Sequence, residues 1–148
     1  MTKSTVIFLT LLVLVVALDS AFAQTFAPAV NYPVGSRSYV VVSADFDLDG
    51  DFDLVASSDD EDRIFFLLNN GKGVFAFDTS YGVGNDPGGF AAVDLDNDGN
   101  VDLAVTHYSS HNLYIFLNAG NGRFVRDSVY SGGGLNSHKL CAADFDSD

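Results

Sequence analysis

The stretch ADFDLDGDFDLV (Ala44–Val55) places five aspartates within nine residues, at Asp45, Asp47, Asp49, Asp51 and Asp53. Two like charges about 4 Å apart repel by roughly 1 kcal/mol even in water, and more in a drier site. A chain that gathers carboxylates so closely needs a positive charge among them to offset that repulsion. The pattern returns at VDLDNDGNVDLAV (Val93–Val105), with Asp94, Asp96, Asp98 and Asp102, and with Asn100 where Asp51 stands. It begins a third time at AADFDSD (Ala142–Asp148), where Asp144, Asp146 and Asp148 lack the following glycine and last aspartate.

These loops belong to a repeat of 49 residues. At that offset LNNGKGVF (Leu68–Phe75) falls on LNAGNGRF (Leu117–Phe124), and Tyr32 and Gly35 fall on Tyr81 and Gly84. Phe26 falls on Phe75, and Tyr130 with Gly133 continues the tyrosine–glycine series. The units run roughly over 26–74, 75–123 and 124–148, so the chain holds about two and a half of them.

Within each unit, aromatic and β-branched runs alternate with Gly/Asn turns, which are strand and hairpin signals. Strands are expected at Ser38–Ala44, Asp53–Ser58 and Arg63–Asn69, then from Phe75; and at Gly89–Asp94, Asp102–Tyr108, Asn112–Asn118 and Phe124–Tyr130. IFFLL (Ile64–Leu68) and LYIFL (Leu113–Leu117) are apolar on both faces, as in strands buried between packed sheets. No stretch carries convincing helical periodicity. About four antiparallel strands per ~50 residues is the grammar of a β-propeller blade. The fold class is therefore all-β, an incomplete propeller. A blade cannot bury its faces alone, and a ring typically needs at least four. We expect the chain to be the N-terminal part of a longer protein; the alternative is a small subunit that completes the ring by oligomerising. The leading segment Phe26–Gly35 would then pair with the last blade and seal it.

The loop spacing, Asp-x-Asp-x-Asp-Gly-x-x-Asp, suits Ca²⁺, which takes six to eight oxygen ligands at about 2.3–2.6 Å. Alternate residues of a tight loop aim three carboxylates at one centre. Gly50 and Gly99 permit the turn. Asp51 and Asn100 stand where a backbone carbonyl faces the ion, and Asp53 and Asp102 close the cage from the next strand. The spacing matches the first half of an EF-hand, but Ala56 and Val105 replace its bidentate glutamate, and a strand follows rather than a helix. Mg²⁺ prefers fewer protein ligands in strict octahedral geometry, and Zn²⁺ wants His or Cys. The alternative is a solvated acidic turn without metal.

The remaining sequence bounds the compartment. Lys3, the apolar run Thr5–Leu18 and the small residues at Ala21–Ala23 read as a secretory signal peptide over residues 1–23, with Gln24 as the new N-terminus. A retained anchor would be short, and Asp19 interrupts it. Residues 24–148 contain no second long apolar run. A net charge of −13 argues against nucleic acid. Cys141 is the only cysteine, so no internal disulfide forms; we expect it to be a small core residue of an apolar strand. A cation can supply the missing staple: at about 100 times its Kd it stabilises a fold by about 2.7 kcal/mol.

From the acidic loops through the LNxGxGxF stretches, residues 24–148 resemble the FG-GAP/VCBS-type calcium-binding repeat family, whose propeller architecture integrin α chains share. The resemblance implies a secreted or cell-surface Ca²⁺-binding propeller. It assigns ligand roles to Asp45, Asp47, Asp49, Asp51 and Asp53, and to Asp94, Asp96, Asp98, Asn100 and Asp102. The third set, Asp144, Asp146 and Asp148, departs from the pattern by its missing end. Adhesion, or binding of a protein or glycan through variable loops, is the expected function. The candidate loops are Ser58–Arg63 and Tyr108–Asn112, in equivalent places. Alternatives are the non-catalytic part of a secreted carbohydrate-active enzyme, or a spacer. Catalysis is not expected: His107, His111 and His138 are the only histidines, and Ser58 and Asp62 stand at the equivalents of the first two.

Overall fold

A computed structural model describes residues 28–132 and 139–145. The signal-peptide reading, Phe26, Gly133, His138, Asp146 and Asp148 lie outside them. The chain divides into two units at Asn31/Tyr32, and every strand of the described residues lies in the second. Among the described residues there is no helix, hence none long and apolar enough to cross a membrane.

In the described residues eight strands form two separate four-stranded antiparallel sheets. β1 (Val41–Ala44), β2 (Asp53–Ser58), β3 (Arg63–Asn69) and β4 (Phe75–Gly82) make the first, in sequential order. β5 (Pro87–Val93), β6 (Asp102–His107), β7 (Asn112–Asn118) and β8 (Phe124–Ser131) make the second, in the same order. Each sheet is a meander joined by short hairpins, and β1 lies beside β5. The architecture is all-β and consistent with two blades of an incomplete propeller.

The backbone repeats more faithfully than the side chains. Non-glycine residues with positive φ fall into pairs 49 apart: Arg37 and Asp86 (50° and 55°), Leu48 and Asn97 (64° and 62°), Asp62 and His111 (52° and 57°). A register shift interrupts β3–β4 between Phe66 and Leu67, and β7–β8 at the equivalent Ile115 and Phe116. Such features are costly for most residues, so their recurrence marks one blade built twice.

The core is the seam between the blades. Phe46, Val55, Ile64, Phe66, Val83, Phe90, Leu103, Val105, Phe116 and Phe124 form one buried cluster drawn from both sheets. Phe46 belongs to the first acidic loop, yet its ring is wholly buried, 5.6 Å from Phe66 and 5.7 Å from Phe124 in edge-on geometry. The loop thus alternates carboxylates facing out with one aromatic anchor facing in. Burying such a ring contributes a few kcal/mol.

Three expectations require correction. β1 begins at Val41, not Ser38, because the Ser57 hydroxyl accepts the N–H groups of Tyr39 (3.3 Å) and Val40 (2.9 Å) in place of ladder bonds. The two-sided burial expected for β7 is incomplete: Phe116 and Asn118 are buried, but Leu113 to Ile115 and Leu117 only partly, since among the described residues no further sheet covers the far face. Cys141 is exposed and in no strand. Its place corresponds to buried Ala91 on β5, which pairs with β6, whereas among the described residues no strand pairs with the segment around Cys141. The preceding residues still follow the blade plan. A Cβ on Gly89 would stand 3.0 Å from the backbone of Lys139 and Leu140, so the bare glycine lets that segment run against β5.

Candidate functional site

Each acidic loop joins the first two strands of its blade, β1 to β2 and β5 to β6. The last aspartate is the deepest. Asp53 is 1% exposed; its Oδ2 accepts the N–H of Phe46 (3.1 Å) and its Oδ1 that of Asn69 (2.9 Å). Asp102 is equally buried and accepts from Leu95 (2.9 Å) and Asn118 (2.8 Å) in the same manner. These carboxylates tie the loop's entry to the end of the third strand. Burial pushes the Asp53 carboxyl above its usual range, and the two N–H donors oppose the shift.

The earlier aspartates fold the loop around themselves. Asp45 accepts the N–H of Asp49 (3.1 Å) on Oδ1 and of Gly50 (3.0 Å) on Oδ2. Asp47 and Asp49 accept from the residues two positions on, at 3.2 and 2.9 Å. In the second loop Asp94 accepts from Gly99 (2.9 Å), Asp96 from Asp98 (3.2 Å) and Asp98 from Asn100 (2.8 Å). Gly50 and Gly99 have φ of +96° and +90° with open space where a Cβ would stand, so conformation rather than crowding selects glycine.

Carboxylate oxygens of Asp45, Asp47 and Asp49 lie within 4.8 Å of one another, as do those of Asp94, Asp96 and Asp102. Asp51, Asp53, Asp98 and Asn100 fall outside these two groups; the Asn100 amide donates to Asp98 Oδ2 at 2.7 Å. Asp144 is described and exposed. The crowding has electrostatic consequences. Desolvation, then the charge of Asp49, raises the Asp47 carboxyl; desolvation and Asp98 do the same to Asp96. In the second group Asp94 Oδ1 is buried with no hydrogen-bond partner. A buried, unsatisfied carboxylate oxygen is costly. Hard oxygen donors converging with one lone pair to spare suit a hard divalent cation.

The asparagines that close each blade were legible only as turn residues. Asn69 donates to the Phe52 carbonyl at 3.1 Å, and Asn118 to the Val101 carbonyl at 3.1 Å. The recurrence of Asn at LNNG and LNAG is the signal that points to them. Similarly, Gly71 and Gly120 leave room for the side chains of Asp51 and Asn100, whose oxygens would stand 2.6 and 2.9 Å from an added Cβ.

At the opposite end of the strands a cleft of about 350 Å³ opens between the blades. It brings together the two variable loops, through Asp59 and Tyr108, with Arg37, Tyr39 and Asp86. Arg37 pairs with Asp59 (3.8 Å) and Asp60 (3.2 Å). Burial raises the Asp59 carboxyl, and Arg37 pulls against that shift. Repeat-equivalent positions carry different residues here, Arg37 against Asp86 and Asp59 against Tyr108. His107 is buried, its ring tilted at 45° against that of Tyr114 with centroids 4.2 Å apart, and its Nδ1 lies 3.3 Å from the Asn112 carbonyl oxygen.

No curated protein and no solved structure matches the chain. The family model of the FG-GAP-like repeat matches it twice, over residues 45–105 and 94–148. Each match opens on an acidic loop, and two blades of one plan follow; the chain belongs to the FG-GAP-like repeat family.

Proposed function

We propose that the chain is a Ca²⁺-binding portion of a secreted or cell-surface β-propeller, in which the ion braces the acidic loops while the opposite end binds a protein or glycan. The observation that carries the calcium reading is the buried, unpartnered Oδ1 of Asp94 within a cluster of carboxylates that recurs one blade earlier. FG-GAP-like repeats are a suitable setting, and the resemblance to VCBS-type and integrin α propellers points the same way. Secretion rests on the signal-peptide pattern of residues 1–23 and on a fold without internal disulfides that an abundant extracellular cation would stabilise.

The binding role is assigned to the cleft between Arg37, Tyr39, Asp59, Asp86 and Tyr108, because the scaffold repeats there and the side chains do not. We read the role as non-catalytic: the inward carboxylates hold backbone N–H groups, and His107 is buried against Tyr114. Screening the chain on glycan and protein arrays, beside a polysaccharide cleavage assay, tests this half of the proposal. Binding lost on Tyr108→Ala and Asp59→Ala without loss of fold is expected; turnover, or binding indifferent to both changes, would contradict it.

A further inference from the structure

The first acidic loop is also part of the interface with the second blade. Between Asp45 and Asp47, the Phe46 carbonyl accepts two hydrogen bonds from the hairpin that joins β7 to β8. Asn118 Nδ2 donates at 2.7 Å and the Gly122 N–H at 3.0 Å. The hairpin sits against the loop itself: a Cβ on Gly122 would stand 3.6 Å from the Asp47 Cβ. Arg123 of the same hairpin pairs with Asp78 of the first blade.

The repeat supplies an internal control. Asn69 is the counterpart of Asn118 and makes the same bond within its own blade, to the Phe52 carbonyl. Gly73 is the counterpart of Gly122 and would have nothing within 4 Å of a Cβ. Leu95 takes the place of Phe46 in the second loop and is 42% exposed, whereas Phe46 is fully buried. The same residue types at the same register therefore acquire a second partner only where a preceding blade stands beside them.

We propose that cation binding in the first loop and docking of the second blade are coupled through the Phe46 carbonyl, with Asn118 as the positioning residue. The inference rests on the calcium reading above. The carbonyl lies between two candidate ligands, so holding it fixes the backbone that aims both carboxylates. A loop held before the ion arrives loses less conformational freedom when it binds. Coupling is reciprocal: whatever the docked blade adds to ion affinity, the ion returns to docking. Each FG-GAP-like blade would thus clamp the ion loop of the blade before it.

The test is a calcium titration of the chain followed by backbone amide NMR. The Gly50 amide, bonded to Asp45, reports the first loop; the Gly99 amide, bonded to Asp94, reports the second. Asn118→Ala is expected to weaken binding at Gly50 by on the order of 3- to 10-fold, the scale of one net hydrogen bond. Asn69→Ala removes the counterpart bond in the first blade and is expected to leave the Gly99 curve unchanged. Hydrogen exchange gives a readout independent of affinity: the Gly122 amide is expected to slow as the first loop fills, also in Asp98→Ala. If Asn118→Ala does not fold, the exchange of Gly122 in the unaltered chain decides. Calcium-indifferent exchange at Gly122, or a Gly50 curve unmoved in folded Asn118→Ala, overturns the coupling while leaving calcium binding intact. A folded chain that binds calcium at neither loop overturns the calcium reading, and the coupling with it.

Discussion

The phenolic oxygen of Tyr81 accepts the backbone N–H of Phe124 at 3.1 Å, and 49 residues earlier Tyr32 does the same for Phe75 at 3.3 Å. Both pairs add edge-on ring contact, at 6.1 and 5.6 Å. The Tyr81 bond ties β4 of the first blade to the first residue of β8, the outer strand of the second, and Tyr32 ties the chain ahead of β1 to the first residue of β4 in the same way. The two blades are therefore joined by a tyrosine bolt, whose geometry recurs with the repeat, in addition to the apolar seam. Tyr81→Phe keeps the ring and strands a partly buried N–H, so it should lower stability by about 1–2 kcal/mol. Thermal unfolding against the unaltered chain measures this; an unchanged midpoint would show that water replaces the hydroxyl.

Leu48 and Asn97 share a left-handed backbone, but only one of them suits it. Leucine is penalised there by roughly 1 kcal/mol, and asparagine much less. Leu48 is 52% exposed, so little burial is at stake. Leu48→Asn should stabilise the fold by about 0.5–1 kcal/mol in denaturant unfolding. Destabilisation would mean that the leucine side chain packs more than its exposure suggests.

Asp98 and Asp102 belong to one loop but should fail differently. Asp102 is buried and holds the N–H groups of Leu95 and Asn118. Asp102→Ala orphans both, and should cost about 2–4 kcal/mol whether or not calcium is present. Asp98 is exposed. Asp98→Ala should melt near the unaltered chain in chelator and well below it in calcium. Equal losses in both media would remove Asp98 from the ion's ligands.

Acid should act through His107 before it reaches the carboxylates. Burial holds its ring below the usual imidazole range, against the Asn112 carbonyl and the charge of Asp62. The folded chain thus binds fewer protons than the unfolded one near pH 6. Stability is full above the unfolded value of about 6.5 and falls as pH drops below it. His107→Ser, which copies Ser58 of the first blade, should flatten the loss between about pH 7 and 5 in chelator. An unaltered acid limb in that variant would assign it elsewhere.

Much of the fold was legible because its punctuation is chemical. β2, β3 and β7 begin and end where Asp, Arg and Asn bracket apolar runs, and the 49-residue offset assigned both blades their order. The acidic clusters were legible as a spacing. What the spacing could not convey is the partner each group takes: that Asp53 and Asp102 bind backbone N–H groups, or that Asn118 reaches the Phe46 carbonyl 72 residues away. Such bonds depend on how one blade lies against the next. The same reason explains Cys141: its apolar context promised burial, but among the described residues no strand packs over it.

The central claim is that the repeated aspartate loops are calcium sites, and isothermal titration of the chain with Ca²⁺ tests it most directly. The expected result is saturation near two ions per chain, one for each complete loop, with a melting temperature that rises in parallel and falls again in chelator. A folded chain that takes up no calcium, and melts alike with and without it, would contradict the account.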